Sequence, residues 1–546
     1  MGLKYFIAIA LLVHVSSFCN RELSITKIHN LIFNEHPRYS CKSLIKYFLQ
    51  KAHESKHLNC VINLSQNAVA EAIKLDEYFE TNNKKIGLLH CVPILVKDNI
   101  AVRDVPNTFG IEALRYSIPK TDAYIVKKLR DEGAIILGKT NLAEMGFSSY
   151  DSEIGGKCSN VWDLKRSCGR FSPGSACGIV AGLSVLSIGT SDTAASASYN
   201  DIFGLSTPLL NNFDGIFSLM ESDDSVGLFG NYLDDLILAH SVIIDSVTDD
   251  NWKYLEKEIN KQRTAIRIGY IKHFLSSFIV DIGEDGPFNY EPDLEIIQKF
   301  YETVENFKKI RIEVVQLNVS EKSFDEMIID LKDISFARYF GCGVKCLKSS
   351  LDKYFGNKDR FQNNSYSDDL KNSSLLSPFL KGLINNSNVN SNTCSYSCLI
   401  YQNIKKKIKN RFESWFNTSS IDLLIFPTTI KMAPYINETS SKHFFGPSFI
   451  PEYSGYASLN IPAFFSIDKL PIGVMLIARD QNFNKLIKSA KLYEENYLRG
   501  AKMLPKSGIF KSENKPCQKN FAQNKSKVTS LKLYSVIYII YRYWFL

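Results

Sequence analysis

The chain has 546 residues, of which 45% are hydrophobic, 22% charged and 12% aromatic. That balance excludes a disordered polymer, a collagen-like repeat and a coiled-coil rod, and leaves a globular protein long enough for one large core or two to three smaller ones. The net charge of +8 is carried by 502–546, where eight Lys and Arg542 face Glu513 alone, so the body is neutral and shows no basic nucleic-acid footprint.

In chain order, the first element is a secretory signal, placed at 1–19. Lys4 precedes an apolar run over 5–13 that is too short to span a bilayer, and small residues follow at Ser16 and Ser17. The basic, Ser/Asn-bearing stretch 20–58 reads as a targeting extension. Together they describe entry to the secretory route and onward delivery to a plastid-like organelle, with the mitochondrion as the alternative. From 59 to 498 the pattern is α/β. Residues 92–96 (VPILV) form a buried strand and 122–132 (DAYIVKKLRDE) an amphipathic helix; Gly133 stops the helix, and 134–137 (AIIL) is the next strand. A helix between two apolar strands is what a mixed or mostly parallel central sheet covered by helices requires. Further strands are predicted at 267–270, 310–315, 421–426 and 470–477. The stretch 356–396 is crowded with Asn and Ser and lacks apolar periodicity, so it reads as a variable, partly disordered surface loop. Residues 499–546 are a basic tail with an apolar, aromatic end.

Twelve cysteines are too few for a disulfide scaffold. Cys342/Cys346 and Cys394/Cys398 form two pairs at C-x3-C spacing, but no His lies near either pair, and half-buried thiols are expected rather than zinc.

Two segments rich in Ser and small residues do not read as linkers: 169–176 (GRFSPGSA) and 189–196 (GTSDTAAS). The apolar stretch 179–188 between them passes from helix to strand, so both lie at one end of a sheet. Lys97 directly follows the strand at 92–96. A lysine desolvated at a sheet end populates its neutral amine, which can take a proton from a serine hydroxyl. Backbone N–H groups in a tight small-residue turn can then hold the oxyanion.

Residues 87–99 (GLLHCVPILVKDN) resemble the G-x-L-x-G-x-P-x-x-x-K-D-N stretch of the amidase signature family. The similarity continues through Asp122-Ala123, 133–141 (GAIILGKTN), Glu144, Asn160 and Trp162-Asp163, and resumes at 422–429 and 470–477. Residues 337–341 (ARYFG) resemble the A-R-Y-D-G motif of one branch, the A subunits of glutamyl-tRNA(Gln) amidotransferases, and 59–77 has that branch's look.

The resemblance implies the amidase signature fold and a Ser–cis-Ser–Lys triad, with Lys97 as the lysine, Ser172 as the relay and Ser196 as the nucleophile. Backbone amides of Thr193, Ala194, Ala195 and Ser196 would form the oxyanion hole, and Arg338 and Tyr339 would contact substrate. The branch further implies glutamine hydrolysis, ammonia transfer to a B subunit (with a small C-type subunit in some assemblies), tRNA contacted only indirectly, and neither metal nor cofactor.

The chain departs from the pattern at several points. Residue-for-residue matching puts Phe171 at the cis-serine and Ser172 at its neighbour. Ala194 and Ala195 replace paired glycines, and about four residues are missing after Ser196. One extra residue between Gly189 and Ser196 restores the family spacing from Ser172 to Ser196. If an alanine position needs positive φ, the strain is about 1–2 kcal/mol. Lys381 and the Ile450/Glu452 neighbourhood fall near the family's glutamine-gripping positions. These departures also admit a catalytically degenerate scaffold, and the signal-like leader a stand-alone amide hydrolase.

Overall fold

The computed structural model describes residues 23–35, 39–146, 152–191, 193–207, 212–218, 225–244, 265–281, 287–357, 370, 376, 378–387, 391–438 and 446–498. The signal expected at 1–19 and the tail at 499–546 lie outside them.

The folded body starts earlier than the sequence suggests. Helices α1 (Ile25–His29) and α2 (Cys41–Glu54) pack Ile25, Ile28, Ile45 and Phe48 into the main core. Ser40 and Ser43 close a reciprocal cap at the start of α2. The Ile25 amide donates to the buried Asp235 carboxylate at 3.1 Å. Of the stretch 20–58, expected to be a targeting extension, residues 23–35 and 39–58 are therefore structural. Its apolar stripe is buried by partners that are remote in sequence.

Then follow β1 (Val61–Leu64), α3 (Ala68–Asn82), β2 (Pro93–Lys97), α4 (Tyr124–Asp131) and β3 (Ile135–Thr140). Helix α4 buries Ile125, Val126 and Leu129. Gly133, at φ +88, ends it and turns the chain into β3, where a side chain would meet the His90 backbone. The next elements are α5 (Pro173–Val180), β4 (Leu186–Thr190), α6 (Thr193–Ser198), β5 (Phe203–Thr207), β6 (Val226–Gly230), α7 (Leu233–Ile243) and β7 (Arg267–Tyr270). They are followed by β8 (Phe278–Asp281), β9 (Pro287–Tyr290), α8 (Leu294–Lys309), β10 (Glu313–Gln316), α9 (Glu321–Phe336) and α10 (Val344–Phe355). The last are α11 (Pro378–Asn386), α12 (Ser391–Thr418), β11 (Leu423–Pro427), α13 (Phe449–Ser454), β12 (Ala457–Phe465), β13 (Pro471–Ala478) and α14 (Phe483–Tyr493).

Among the described residues, eleven strands form one mixed sheet in the order β1-β3-β2-β4-β6-β5-β12-β13-β11-β7-β10. Its parallel pairings fall in two blocks, β3-β2-β4 and β11-β7-β10; the strands between are antiparallel. Every residue of β2, β3 and β4 is buried, because helices cover both faces and continuous Val/Ile/Leu runs can occupy them. Since β2 and β4 run parallel, Lys97 and Thr190 end on the same edge of the sheet.

Two other expectations are corrected. Within 356–396, α11 and the start of α12 are helical, and Leu370, Leu376 and Ile384 are buried in a small core with Phe109, Leu347 and Tyr354. The remainder of that stretch falls largely outside the described residues. Eight of the described cysteines are paired rather than free thiols. Cys41–Cys91 and Cys60–Cys177 are disulfide-paired at Cα separations of 5.4 and 5.7 Å. The two C-x3-C pairs are joined crosswise, Cys342 to Cys398 and Cys346 to Cys394, at 4.5 and 5.1 Å. Helix packing, invisible in the spacing, brings them together.

His240 of α7 stacks on Phe483 of α14 at 4.9 Å, and its Nε2 has no hydrogen-bond partner among the described residues. Burial lowers its pKa from 6.5 to about 4. The unfolded chain therefore binds the extra proton between those values, and this contribution to stability is lost as pH falls from 6.5 through 4. Urea unfolding of the wild-type chain and of His240→Phe across that range should show the variant gaining relative stability toward pH 4. A pH-independent difference would refute the assignment.

Candidate active site

The site is built where β2 and β4 end. Lys97, 2% exposed, donates from Nζ to the Thr190 Oγ1 at 2.7 Å and to the Thr190 carbonyl at 3.1 Å. Asn99 Nδ2 donates to the same Thr190 hydroxyl at 3.2 Å and to the Phe217 carbonyl. Ser172 is fully buried at the head of α5. Its Oγ donates to the Thr190 carbonyl at 2.7 Å and accepts from the Thr190 amide at 3.2 Å. Lys97 and Ser172 therefore meet on one residue, Thr190. Sequence reasoning missed Thr190 and Asn99; the available signal for Thr190 was its place as the last residue of a strand parallel to that of Lys97.

A second lysine stands beside the first. Lys139 on β3 and Asp98 are both fully buried and form an ion pair at 3.4 Å. Lys139 also donates to Asn107 and to the Ile100 carbonyl, and Asp98 accepts from the Thr108 amide and hydroxyl. Burial pushes the Asp98 carboxyl up and the Lys139 ammonium down to about 8. This pair explains the Asp of the K-D-N block and the Lys of the G-K-T-N block as structure around the site.

Ser196 lies on α6, fully buried, and its Oγ has no hydrogen-bond partner among the described residues. It faces Gly169, whose φ is +136; a Cβ there would fall 2.8 Å from the Ser196 Cβ and closer still to its Oγ. Asn200 holds the turn by donating to the Ser196 and Cys168 carbonyls. Lys97 and Ser172 thus meet on Thr190, whereas the Ser196 hydroxyl is uncommitted among the described residues.

Thr193 through Ser196 form the first turn of α6, so their N–H groups face its N-terminal end. The expected strain at Ala194 and Ala195 is absent. Both are helical, where alanine is favoured, and the positive φ falls on Ser191 at +51. Asp192 lies outside the described residues.

Phe171, which residue order matches to the cis-serine, contributes only hydrocarbon. It is 3% exposed, shares an apolar cluster with Ala194 and Tyr199, and carries the Arg170 guanidinium 4.7 Å from its ring centroid. Arg338 and Tyr339 lie in the π-helical segment Ala337–Gly343, and their side chains lie outside the described residues. Ile450 and Glu452 are buried on α13, and Lys381 is half-buried on α11.

The family model named Amidase matches residues 43–486. The A subunit of the Prochlorococcus marinus glutamyl-tRNA(Gln) amidotransferase is 27% identical over 485 residues, spanning 83% of this chain and 94% of its own. That of Methanosarcina acetivorans is 26% identical over 477 residues, spanning 84% and 94%. Among solved structures, the peptide amidase of Stenotrophomonas maltophilia superimposes with a TM-score of 0.68 at 23% identity, over 89% of this chain and 99% of its own. A 6-aminohexanoate cyclic dimer hydrolase does so at 0.65 and 19% identity, over 90% and 100%. The two structures show the shared fold.

Gly169→Ala tests how Ser196 is held. The strained φ and the overpacking against Ser196 together should cost about 2–4 kcal/mol. A denaturant midpoint equal to wild type would show that Ser196 does not lie against Gly169.

Proposed function

The chain belongs to the amidase family, and from that premise we propose that it hydrolyses the side-chain amide of glutamine as the A subunit of a glutamyl-tRNA(Gln) amidotransferase. The observation that carries the reading is the shared clasp of Lys97 and Ser172 on Thr190, at the sheet edge where the family resemblance puts a lysine and its relay serine. Near-full-length similarity to A subunits from two organisms supports the branch.

In this mechanism Ser196 Oγ attacks the amide carbon, and its proton passes through Ser172 to the neutral amine of Lys97. The carbonyl oxygen becomes an oxyanion facing the amides of Thr193 through Ser196. The relay then returns the proton to the leaving ammonia, and water hydrolyses the acyl-serine. For the relay to close, the Ser172 O–H turns from the Thr190 carbonyl to donate to the Lys97 amine, while Ser172 Oγ accepts from the Ser196 hydroxyl. A B subunit receives the ammonia and contacts the tRNA, consistent with a neutral body. The signal-type leader supports a location in an organelle reached through the secretory route.

Phe171 and the uncommitted Ser196 hydroxyl favour a second reading, an amidase fold kept as a scaffold without turnover. Labelling of the full chain with a fluorophosphonate, followed by peptide mapping, separates the two. The catalytic reading expects label on Ser196, absent in Ser196→Ala and slowed about 10²–10⁴-fold in Lys97→Ala, as loss of a general base requires. A folded chain that takes no label establishes the scaffold. Glutaminase activity that rises on adding a B subunit identifies the amidotransferase role, whereas full activity alone on other amides identifies a stand-alone hydrolase.

A further inference from the structure

The two C-x3-C pairs converge. Residues four apart on a helix share a face. Cys342 lies at the end of the π-helical segment Ala337–Gly343, Cys346 follows on α10, and Cys394 and Cys398 lie on α12. The crosswise pairing brings their Cα atoms to 4.5 and 5.1 Å, and the Cys346 and Cys398 sulfurs, which belong to different disulfides, are 3.3 Å apart. The ligand atoms of Cys342, Cys346 and Cys398 all lie within 4.8 Å of one another. Four sulfurs thus form one cluster between two helical segments.

We propose that, in the reduced chain, Cys342, Cys346, Cys394 and Cys398 bind one zinc ion as a tetrahedral tetrathiolate site that ties the Ala337–Gly343 segment and α10 to α12. Zn–S bonds of about 2.3 Å place tetrahedral sulfurs about 3.8 Å apart, close to the 3.3 Å between the Cys346 and Cys398 sulfurs and inside the 4.8 Å within which the sulfurs of Cys342, Cys346 and Cys398 all lie. An all-thiolate donor set suits zinc rather than a hard cation. Cys394 and Cys398 are half-buried, which leaves a path for the metal, while Cys342 and Cys346 close the inner side. Two C-x3-C arms, one from each side, supply the closed four-ligand set of a structural site.

A dithiol reductant delivers two electrons and two protons to each disulfide, giving four thiols and the oxidised reductant. Zn²⁺ then replaces four thiol protons, which are released to solvent.

A second thiol gathering exists and serves as the control. Cys158 and Cys168 are buried free thiols that interact with each other, and Cys158 lies within the same reach of Cys60 and Cys177. This group is wholly interior, and burial pushes the Cys168 thiol well up, which opposes the thiolate a metal needs.

The test uses the full chain, reduced with a phosphine under anaerobic conditions and titrated separately with Zn²⁺ and Co²⁺. One metal per chain is expected, with loss of four reagent-accessible thiols. The cobalt form should show thiolate-to-metal charge transfer and the d–d absorption of tetrahedral cobalt. Cys398→Ser should weaken binding at least about a hundredfold, more than loss of an outer-shell partner does. The double variant Cys158→Ser/Cys168→Ser should bind as wild type. The proposal is overturned if the reduced chain binds no metal, if Cys398→Ser binds unchanged, or if binding follows Cys158 and Cys168 instead. Circular dichroism of each variant separates loss of the site from loss of the fold. None of these readouts depends on amide hydrolysis.

Discussion

The buried pair Asp98–Lys139 is the constraint on which the site rests. Two opposite charges without water are tolerable only when their remaining hydrogen-bonding capacity is filled. Here Asn107, the Ile100 carbonyl and Thr108 fill most of it. Removing either member would leave the other charge uncompensated, a loss of about 3–5 kcal/mol. Because Asp98 directly follows Lys97, and Lys139 sits at the end of the neighbouring parallel strand, the pair fixes the strand ends from which Lys97 reaches Thr190.

That arrangement has a chemical consequence. Thr190 offers its carbonyl to Lys97 and Ser172 and its hydroxyl to Lys97 and Asn99, so a single strand-terminal residue gathers three polar side chains in a water-excluded space. Ser196 enters from α6, whose alanines favour the helix, and is positioned by Gly169 and Asn200. Phe171 takes the place at which a relay hydroxyl is expected and joins the second apolar cluster. Its neighbour Ser172 carries the hydroxyl that meets Thr190. In an interior where buried polar groups are normally paired, the Ser196 hydroxyl is an exception, as a nucleophile awaiting substrate or a residue released from that task would be.

Some of this was legible in the residues. Continuous apolar runs announced β2 and β3, because strands covered on both faces need no alternation, and Gly133 announced the end of α4, because positive φ favours glycine. Lys97 was legible as a charge directly after a buried strand. The role of Leu23–Leu58 was not, since its apolar stripe gains meaning only from partners as remote as Asp235. The strain expected at Ala194 and Ala195 failed for a related reason: φ depends on where the helix begins, and here it begins at Thr193.

Residue types and their local order by themselves determined the α/β class, the strand-helix-strand unit around Lys97, and the lysine and serines available to react. Those follow from burial, periodicity and side-chain chemistry, all of which act over a few residues. Only the tertiary structure decided that Lys97 and Ser172 share the Thr190 carbonyl, that the Ser196 hydroxyl has no hydrogen-bond partner among the described residues, and that four cysteines from two helical segments make one cluster. Those facts are distances between groups far apart in the chain, or contacts to a main-chain carbonyl that every residue possesses. Packing sets them, and no residue code carries them.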